Sequence, residues 1–237
     1  MSGHIWNGSA WEQAKSMHLR NAANTGWEQV KEAWRWTGSA WEQLYAQPIS
    51  IVDDFNRANS TTIGGVGWTE YGTAAAIVSN SLAWSGGSDG SGGVVTNGSI
   101  NTDDGYVEVV LGGANAPNGT ADASLLGRIN AAGSSGISAG IFSNQCFISV
   151  LSGSLTSPTY TNLASNSSVS FATGDVVRLE FFRDNFTLKK NGTIVLTATA
   201  TVNTGPNYRH GALRVEHAFF NQFSSSFNSF KIADFGA

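Results

Sequence analysis

One cysteine, Cys146, stands in 237 residues, so neither an intramolecular disulfide nor a cysteine-rich metal site is available, and the fold must hold by packing. Charge is scarce as well. Asp, Glu, Lys and Arg make up 13% of the chain against 28 glycines, a balance that suits many short turns between strands better than helices. Bases and acids are equal, four each, in residues 1–48, and residues 49–237 carry nine bases against thirteen acids. Neither part offers the basic stripe that a phosphate backbone requires, which excludes nucleic acid as a partner. No apolar run approaches the ~20 residues of a membrane span, so no membrane insertion is expected. No basic and apolar leader opens the chain, and the expectation is a soluble protein that leaves a cell by a route other than a cleaved signal.

Tryptophan is abundant in one place. Of eight, six lie in the first 41 residues: Trp6, Trp11, Trp27, Trp34, Trp36 and Trp41. Trp11, Trp27 and Trp41 each open a Trp-Glu-Gln triplet at spacings of 16 and 14, an internal repeat. "WNGSAW" and "WTGSAW" place four turn-prone residues between two tryptophans and predict β-hairpins whose indoles meet across the strands. The middle copy replaces the first Trp by Leu19 and has the longer loop "RNAANTG". "GWEQVKEAWRW" also fits a helix, with Trp27, Val30, Ala33 and Trp34 on one side. Hairpins of this size are marginal alone, so the six tryptophans are expected to dock or oligomerise the chain.

After Pro48 the texture changes, and all 13 phenylalanines follow position 54. Short alternating runs separated by turns predict a two-sheet sandwich. Val107, Val109 and Leu111 oppose Tyr106 and Glu108; Val177, Leu179 and Phe181 oppose Arg178 and Glu180; Leu213 and Val215 oppose Arg214 and Glu216; Leu125 and Ile129 oppose Arg128. "LKKNGTIV" predicts a two-residue turn at Asn191-Gly192. Seven Asn-x-Ser/Thr sites (Asn7, Asn59, Asn97, Asn118, Asn166, Asn185 and Asn191) include four Asn-Gly pairs and read as turn chemistry rather than glycan acceptors.

Candidate sugar contacts combine aromatic faces with fixed polar groups. On loops these are Asp89 in "GSDGSGG" and Tyr208, Arg209 and His210 in "TGPNYRHG"; on the polar sheet face they are Tyr106, Arg178, Glu180, Arg214 and Glu216. A glycosidase needs two carboxyls about 5–10 Å apart. No strand carries acids at i and i+2; a cross-strand pair among Glu108, Glu180 and Glu216 is the remaining route, and Arg128, Arg178 and Arg214 on the same inferred face offer ordinary ion pairs instead. His4, His18, His210 and His217 are scattered, and "GTADASLLG" lacks a Gly-x-Ser-x-Gly elbow. The sequence therefore predicts no catalytic residues and no enzyme.

Two resemblances add to this reading. "WNGSAWEQ" repeats resemble segments of tail and virion proteins of bacteriophages, particularly those of actinobacteria. That implies a virion protein, a minor tail protein or appendage assembled in the host cytoplasm and exposed on the particle. Its partners would be other virion proteins, further copies of itself and a host-surface glycan; a purely structural decoration or spacer is the alternative. "DDFNR", "GWTEYGT" with "AIVSNSLAWS", "GDVVRLEFFRDNFTLKKNGTIV" and "FKIADF" resemble, in that order, the concanavalin A-like lectin/glucanase jelly roll over residues 49–237. The catalytic Glu-x-Asp-x-x-Glu strand of its glucanase members is missing here. The resemblance implies first and last strands side by side, with Phe55 and Phe235 as core neighbours, and a possible structural calcium at Asp53, Asp54 and Asp234, with no other cofactor. The expected chain is thus all-β: a hairpin repeat over 1–48, then a jelly-roll sandwich over 49–237.

Overall fold

The computed structural model describes residues 4–6, 11–13, 17–20, 27–30, 32–39, 41–64, 67–72, 74–113, 121–218 and 222–237. The first part is three two-stranded antiparallel ribbons: β1 (His4–Trp6) with β2 (Trp11–Gln13), β3 (Met17–Arg20) with β4 (Trp27–Val30), and β5 (Glu32–Trp36) with β6 (Trp41–Ala46). Register places Trp6 opposite Trp11 and Trp36 opposite Trp41, as the repeat predicts. In the middle copy the residue opposite Trp27 is Arg20, not Leu19. "GWEQVKEAWRW" forms β4 and β5 rather than a helix, because the facing segments supply the hydrogen-bonded partners that its helical spacing ignores. Trp34 and Trp36 are half exposed, at 49% and 52%. The side chains of Trp6, Trp11, Trp27 and Trp41, the loop after Arg20, and the Asn7 and Asn118 sites lie outside the described residues.

Residues from Ser50 onward form a concanavalin A-like jelly-roll sandwich of two antiparallel sheets. The first sheet runs β19 (Thr193–Thr199), β18 (Asn185–Lys190), β17 (Val176–Phe182), β12 (Gly105–Leu111) and β22 (Phe227–Asp234). The far edge of β22 is shared by β7 (Ser50–Asp53) and β10 (Ser81–Trp84), and β10 pairs with β9 (Ala75–Val78). The second sheet runs β16 (Ser157–Asn166), β15 (Cys146–Ser154), β14 (Ser135–Ile141), β13 (Ala123–Ile129), β20 (His210–Ala218), β11 (Gly90–Thr96) and β8 (Trp68–Tyr71), with β21 (Gln222–Phe223) also on β20.

Alternation of side chains builds the core. Val107, Val109, Val177, Leu179 and Phe181 from one sheet meet Leu125, Ile137, Ile141, Leu213 and Val215 from the other, all buried. Each such side chain contributes roughly 1.5–3 kcal/mol when taken out of water. Cys146 belongs to this layer, and burial pushes its thiol up to about 11, which suits a packing residue and not a nucleophile. Asn191 and Gly192 turn between β18 and β19 with φ of +49° and +81°, the positive values a two-residue hairpin turn demands.

Two expectations need correcting. The first and last strands do pair, but Asp53 lies opposite Phe230 and Ser50 opposite Ala233. The antiparallel sense therefore carries Phe55 towards Trp68, 6.1 Å between rings, while Phe235 leaves at the other end and packs on Tyr106 and Phe182. Arg128 does not share the polar outer face: the register of β13 shifts between Leu126 and Ile129, Arg128 takes φ +45°, and alternation inverts. Its guanidinium lies 5.7 and 5.6 Å from the Phe181 and Phe186 rings, while Ile129 joins Leu126, Leu151, Leu155, Val95 and Ala212 in a second apolar cluster.

Candidate functional site

The outer face of the first sheet carries Tyr106, Arg178 and Glu180, three of the predicted sugar contacts. Arg178 binds Glu108 at 2.6 Å and approaches Glu180 at 3.8 Å, and Lys189 binds Glu180 at 2.7 Å. The Arg178 guanidinium lies 4.1 Å from the centre of the Tyr106 ring, Lys231 lies 5.4 Å from it, and Tyr106 keeps only 7% of its surface. These residues cover one another, so Tyr106 offers no bare ring for a sugar.

Tyr208 ends a single 3-10 turn, Pro206–Tyr208, and Arg209 and His210 follow it and hold loops together. Arg209 donates to Asp103 at 2.9 Å and to the Asn101 carbonyl at 2.6 Å, and His210 Nδ1 lies 2.8 Å from the Thr96 carbonyl. The Arg209 pair acts on Asp103 against burial and holds its carboxyl below the usual range. Arg209 clamps the 101–104 loop and His210 is tied to Thr96, so neither presents a free binding edge.

Arg214 and Glu216 lie on the outer face of the second sheet, across the sandwich from Glu108 and Glu180, so the three glutamates cannot converge. What converges instead is Asp122 with Glu216 on one arginine. Arg214 donates to Asp122 at 2.8 Å, to Glu216 at 2.9 Å and to the Leu155 carbonyl at 3.0 Å; Glu216 accepts from the Asp122 amide at 3.0 Å; and Ser124 bonds the other Asp122 oxygen. Arg214 and Asp122 are buried, with side chains 4% and 9% exposed. Burial first, and the Asp122 charge second, push Glu216 up to about 7, and burial pushes the neighbouring Tyr160 to about 12. Although burial acts to lower it, Arg214 is held above its usual value by Asp122, Tyr160 and Glu216. Sequence reading missed Asp122 because "GTADASLLG" was searched for a serine elbow; its acid two residues before a strand serine was the available signal.

The three carboxylates suggested for calcium do not fit one ion. Asp53 is taken by Arg57 (2.8 and 3.0 Å), the Trp68 indole N–H (2.7 Å) and the Phe55 amide (2.8 Å). Asp234, fully buried, accepts from the amides of Ile49, Asn101 and Thr102. Asp54 is exposed and caps Asn56. Among the described residues no group of three metal-ligating side chains comes together.

The surface best suited to a sugar is a groove of about 350 Å³ beside β10, lined by Trp84, Phe223, Val78 and the serines 79, 81, 224 and 226. Here two aromatic rings meet several hydroxyls, the combination that stacks on C–H faces and reads hydroxyl directions. Trp84 is held in place by its neighbours. Its indole N–H donates to the Gly86 carbonyl at 2.8 Å, and His217 stacks on it at 6.3 Å and 14°. A β-carbon at Gly86 would lie 2.7 Å from the indole, so the glycine-rich loop lies close across the ring because it has no side chain there. His217 in turn meets Phe223 at 4.5 Å and Asp89 at 3.1 Å. Of the predicted contacts, Asp89 reaches this groove through His217 and Glu216 through its backbone bonds to Ser224. Trp84 and Phe223 were missed, though Trp84 is one of only two tryptophans outside the repeats and immediately precedes the loop that was singled out.

No family model matches the chain, and no curated protein matches it by sequence. Solved structures do. The exoplasmic/lumenal domain of VIP36 in its Ca2+/Man2-bound form is 12% identical with a TM-score of 0.52, over 77% of this chain and 86% of that one. The Crh5 transglycosylase in complex with NAG is 13% identical with a TM-score of 0.51, over 78% and 84%. The carbohydrate binding module CBM66 from Bacillus subtilis is 15% identical with a TM-score of 0.49, over 71% and 92%. At such identities the likeness establishes the fold. It also overturns the expectation that the chain is no enzyme: a transglycosylase adopts this sandwich, so the fold is one that enzymes use and leaves activity open.

Proposed function

We propose that the chain is a carbohydrate-binding protein of a bacteriophage particle, with the sandwich displayed outward and the tryptophan hairpins joining it to further copies and to other virion proteins. The groove between Trp84 and Phe223 carries the binding half of this reading, since it pairs aromatic faces with serine hydroxyls on a jelly roll. Two proteins of the same fold hold sugars in their structures, Man2 in VIP36 and NAG in Crh5. A host cell-wall or surface glycan is the ligand class, and many copies on one particle would raise weak single sites to useful avidity. On glycan arrays and in cell-wall pull-downs, the intact protein is expected to be retained. Trp84→Ala and Phe223→Ala should each weaken binding about tenfold or more, as truncating an aromatic at the centre of a contact does. Retention unchanged in both variants would remove the groove from the reading.

The docking half rests on the repeat and on Trp34 and Trp36, whose rings are half bare. A second copy is the proposed cover, because three hairpins of one pattern present like surfaces to like. Sedimentation should show an oligomer for the full chain and a lighter species for the Trp34→Ser, Trp36→Ser double variant; identical masses would refute self-docking. A structural virion piece is the second reading, favoured by the paired charges that cover the first sheet. Imaging of the intact particle separates the two by what the outward face touches.

A further inference from the structure

A strand at the rim of a sheet carries N–H and C=O groups that no neighbouring strand answers, and folded chains blunt such rims with short strands, charges or covering segments. Three of the four rims here are treated in that way. β8 is four residues long and includes Glu70; β9 is four residues long and is bridged by Ser60, whose amide donates to the Ile77 carbonyl at 2.9 Å; and on β19 the Val195 carbonyl is taken by Asn166 Nδ2 at 2.8 Å. The fourth rim, β16, is different. It is ten residues long, contains no Asp, Glu, Lys or Arg, and among the described residues has β15 as its one neighbour in the sheet. The missing charge extends beyond the strand: the 46 residues between Arg128 and Asp175 hold none, where the chain's 13% would place about six. Burial does not account for this, because eighteen of those residues are exposed.

The usable length of this rim is defined. Pairing with β15 is regular from Ser157 to Asn162 and shifts at Leu163, which has no residue opposite it; beyond that point Asn166 is tied to β19. Within the regular part Ser157, Thr159, Thr161 and Asn162 are exposed, and Pro158 withholds one donor near the start. We propose that residues 157–162 pair antiparallel with the same residues of a second copy, joining two sandwiches edge to edge in one continuous sheet. The charge pattern selects the occupant. A two-fold axis brings each residue close to its own counterpart, so a charge near the axis would meet a like charge, and a rim without charges is what self-pairing requires. Over the rest of its surface a chain of net charge −4 opposes its own copy. A different protein would be selected by complementary charges, which this rim does not offer. The contact shares no residue with the tryptophan hairpins or with the Trp84 groove and stands apart from both readings.

Sedimentation of the full-length Trp34→Ser, Trp36→Ser variant isolates the edge from the hairpins. It is expected to dimerise at ~100 μM, above the micromolar Kd of a weak specific pair. Adding Thr159→Lys and Thr161→Lys, both at exposed positions, should raise the Kd at least about tenfold by setting like charges across the axis. Thr159→Glu with Thr161→Glu should do the same. An equal mixture of the Lys and Glu chains should dimerise again, and this arm also controls for folding, since only intact rims can pair. Hydrogen exchange at the Tyr160 and Asn162 amides should slow as the dimer forms. A Trp34→Ser, Trp36→Ser chain that stays monomeric at ~100 μM would overturn the proposal. So would a dimer that the Lys pair leaves unchanged, or a Lys and Glu mixture no heavier than its components.

Discussion

Asp234→Ala is expected to be among the most destabilising single changes in this chain, at about 4 kcal/mol. The carboxylate is fully buried at the end of β22 and accepts from three backbone amides, Thr102 at 2.7 Å, Ile49 at 2.9 Å and Asn101 at 3.1 Å, with the Thr102 hydroxyl 2.6 Å away. Removing it leaves three amide donors without their acceptor, that of Thr102 buried and those of Ile49 and Asn101 half-buried. Each costs roughly 1–3 kcal/mol, and entry of water into the space offsets part of the sum. For a domain of this size about 4 kcal/mol lowers the melting temperature by roughly 8–16 °C. The loss is local in origin and wide in reach. Asp234 fixes the entry to β7 through Ile49 and the 101–104 loop through Asn101 and Thr102, and that loop carries the carboxylates that hold Arg209 and Arg128. Asp234→Asn should fail almost as badly, because one oxygen becomes an N–H aimed at another N–H. Asp54→Ala, which removes one exposed cap, should stay within about 0.5 kcal/mol. Denaturant titration giving equal losses for Asp234→Ala and Asp54→Ala would show that the buried acceptor is not what ties these segments together.

That a buried aspartate ties the entry of β7 to the 101–104 loop is the kind of fact sequence does not display. Periodicity read the core well, since Val107, Val109, Val177, Leu179 and Phe181 face inward as their spacing demands. The Asn191-Gly192 turn and the tryptophan hairpins were also visible, because positive φ and facing tryptophans leave marks within a few residues. Arg128 was misplaced because a strand irregularity changes the parity without changing the residues on either side. The predicted sugar contacts were chemically suitable and structurally committed. Several have a partner distant in sequence, such as Glu108 for Arg178, Asp103 for Arg209 and Asp122 for Arg214, and only the folded arrangement shows that these partners use up the polar groups. Trp84 escaped for the converse reason: its value lies in what surrounds it, with Phe223 arriving 139 positions later in the chain.

The Asp122–Arg214–Glu216 cluster leads to the other large effect, a stability that falls as pH rises through neutrality. One guanidinium balances one buried carboxylate, so the second, Glu216, is stabilised in its neutral form and its pKa rises from 4.5 to about 7. Between those values the folded chain holds a proton that the unfolded chain has released. Unfolding therefore releases a proton, and stability declines with increasing pH: the contribution is complete below about 4.5 and gone above about 7. Because Glu216 and Asp122 share one cation, the gain is on the order of 2–3 kcal/mol rather than a sharper figure. Asp53, Asp103 and Asp175 work in the opposite sense, each held below its usual 3.8, so they withdraw stability only at more acidic pH. The two trends leave a maximum at roughly pH 4 to 5. Glu216→Gln keeps the shape of the neutral side chain and cannot ionise. It should flatten the profile from pH 5 to 8 and exceed the parent at pH 8 by about 2 kcal/mol. Urea titrations at a series of pH values decide the matter: a parent profile as flat as that of Glu216→Gln would mean that Glu216 is ionised in the fold, with Arg214 serving both acids.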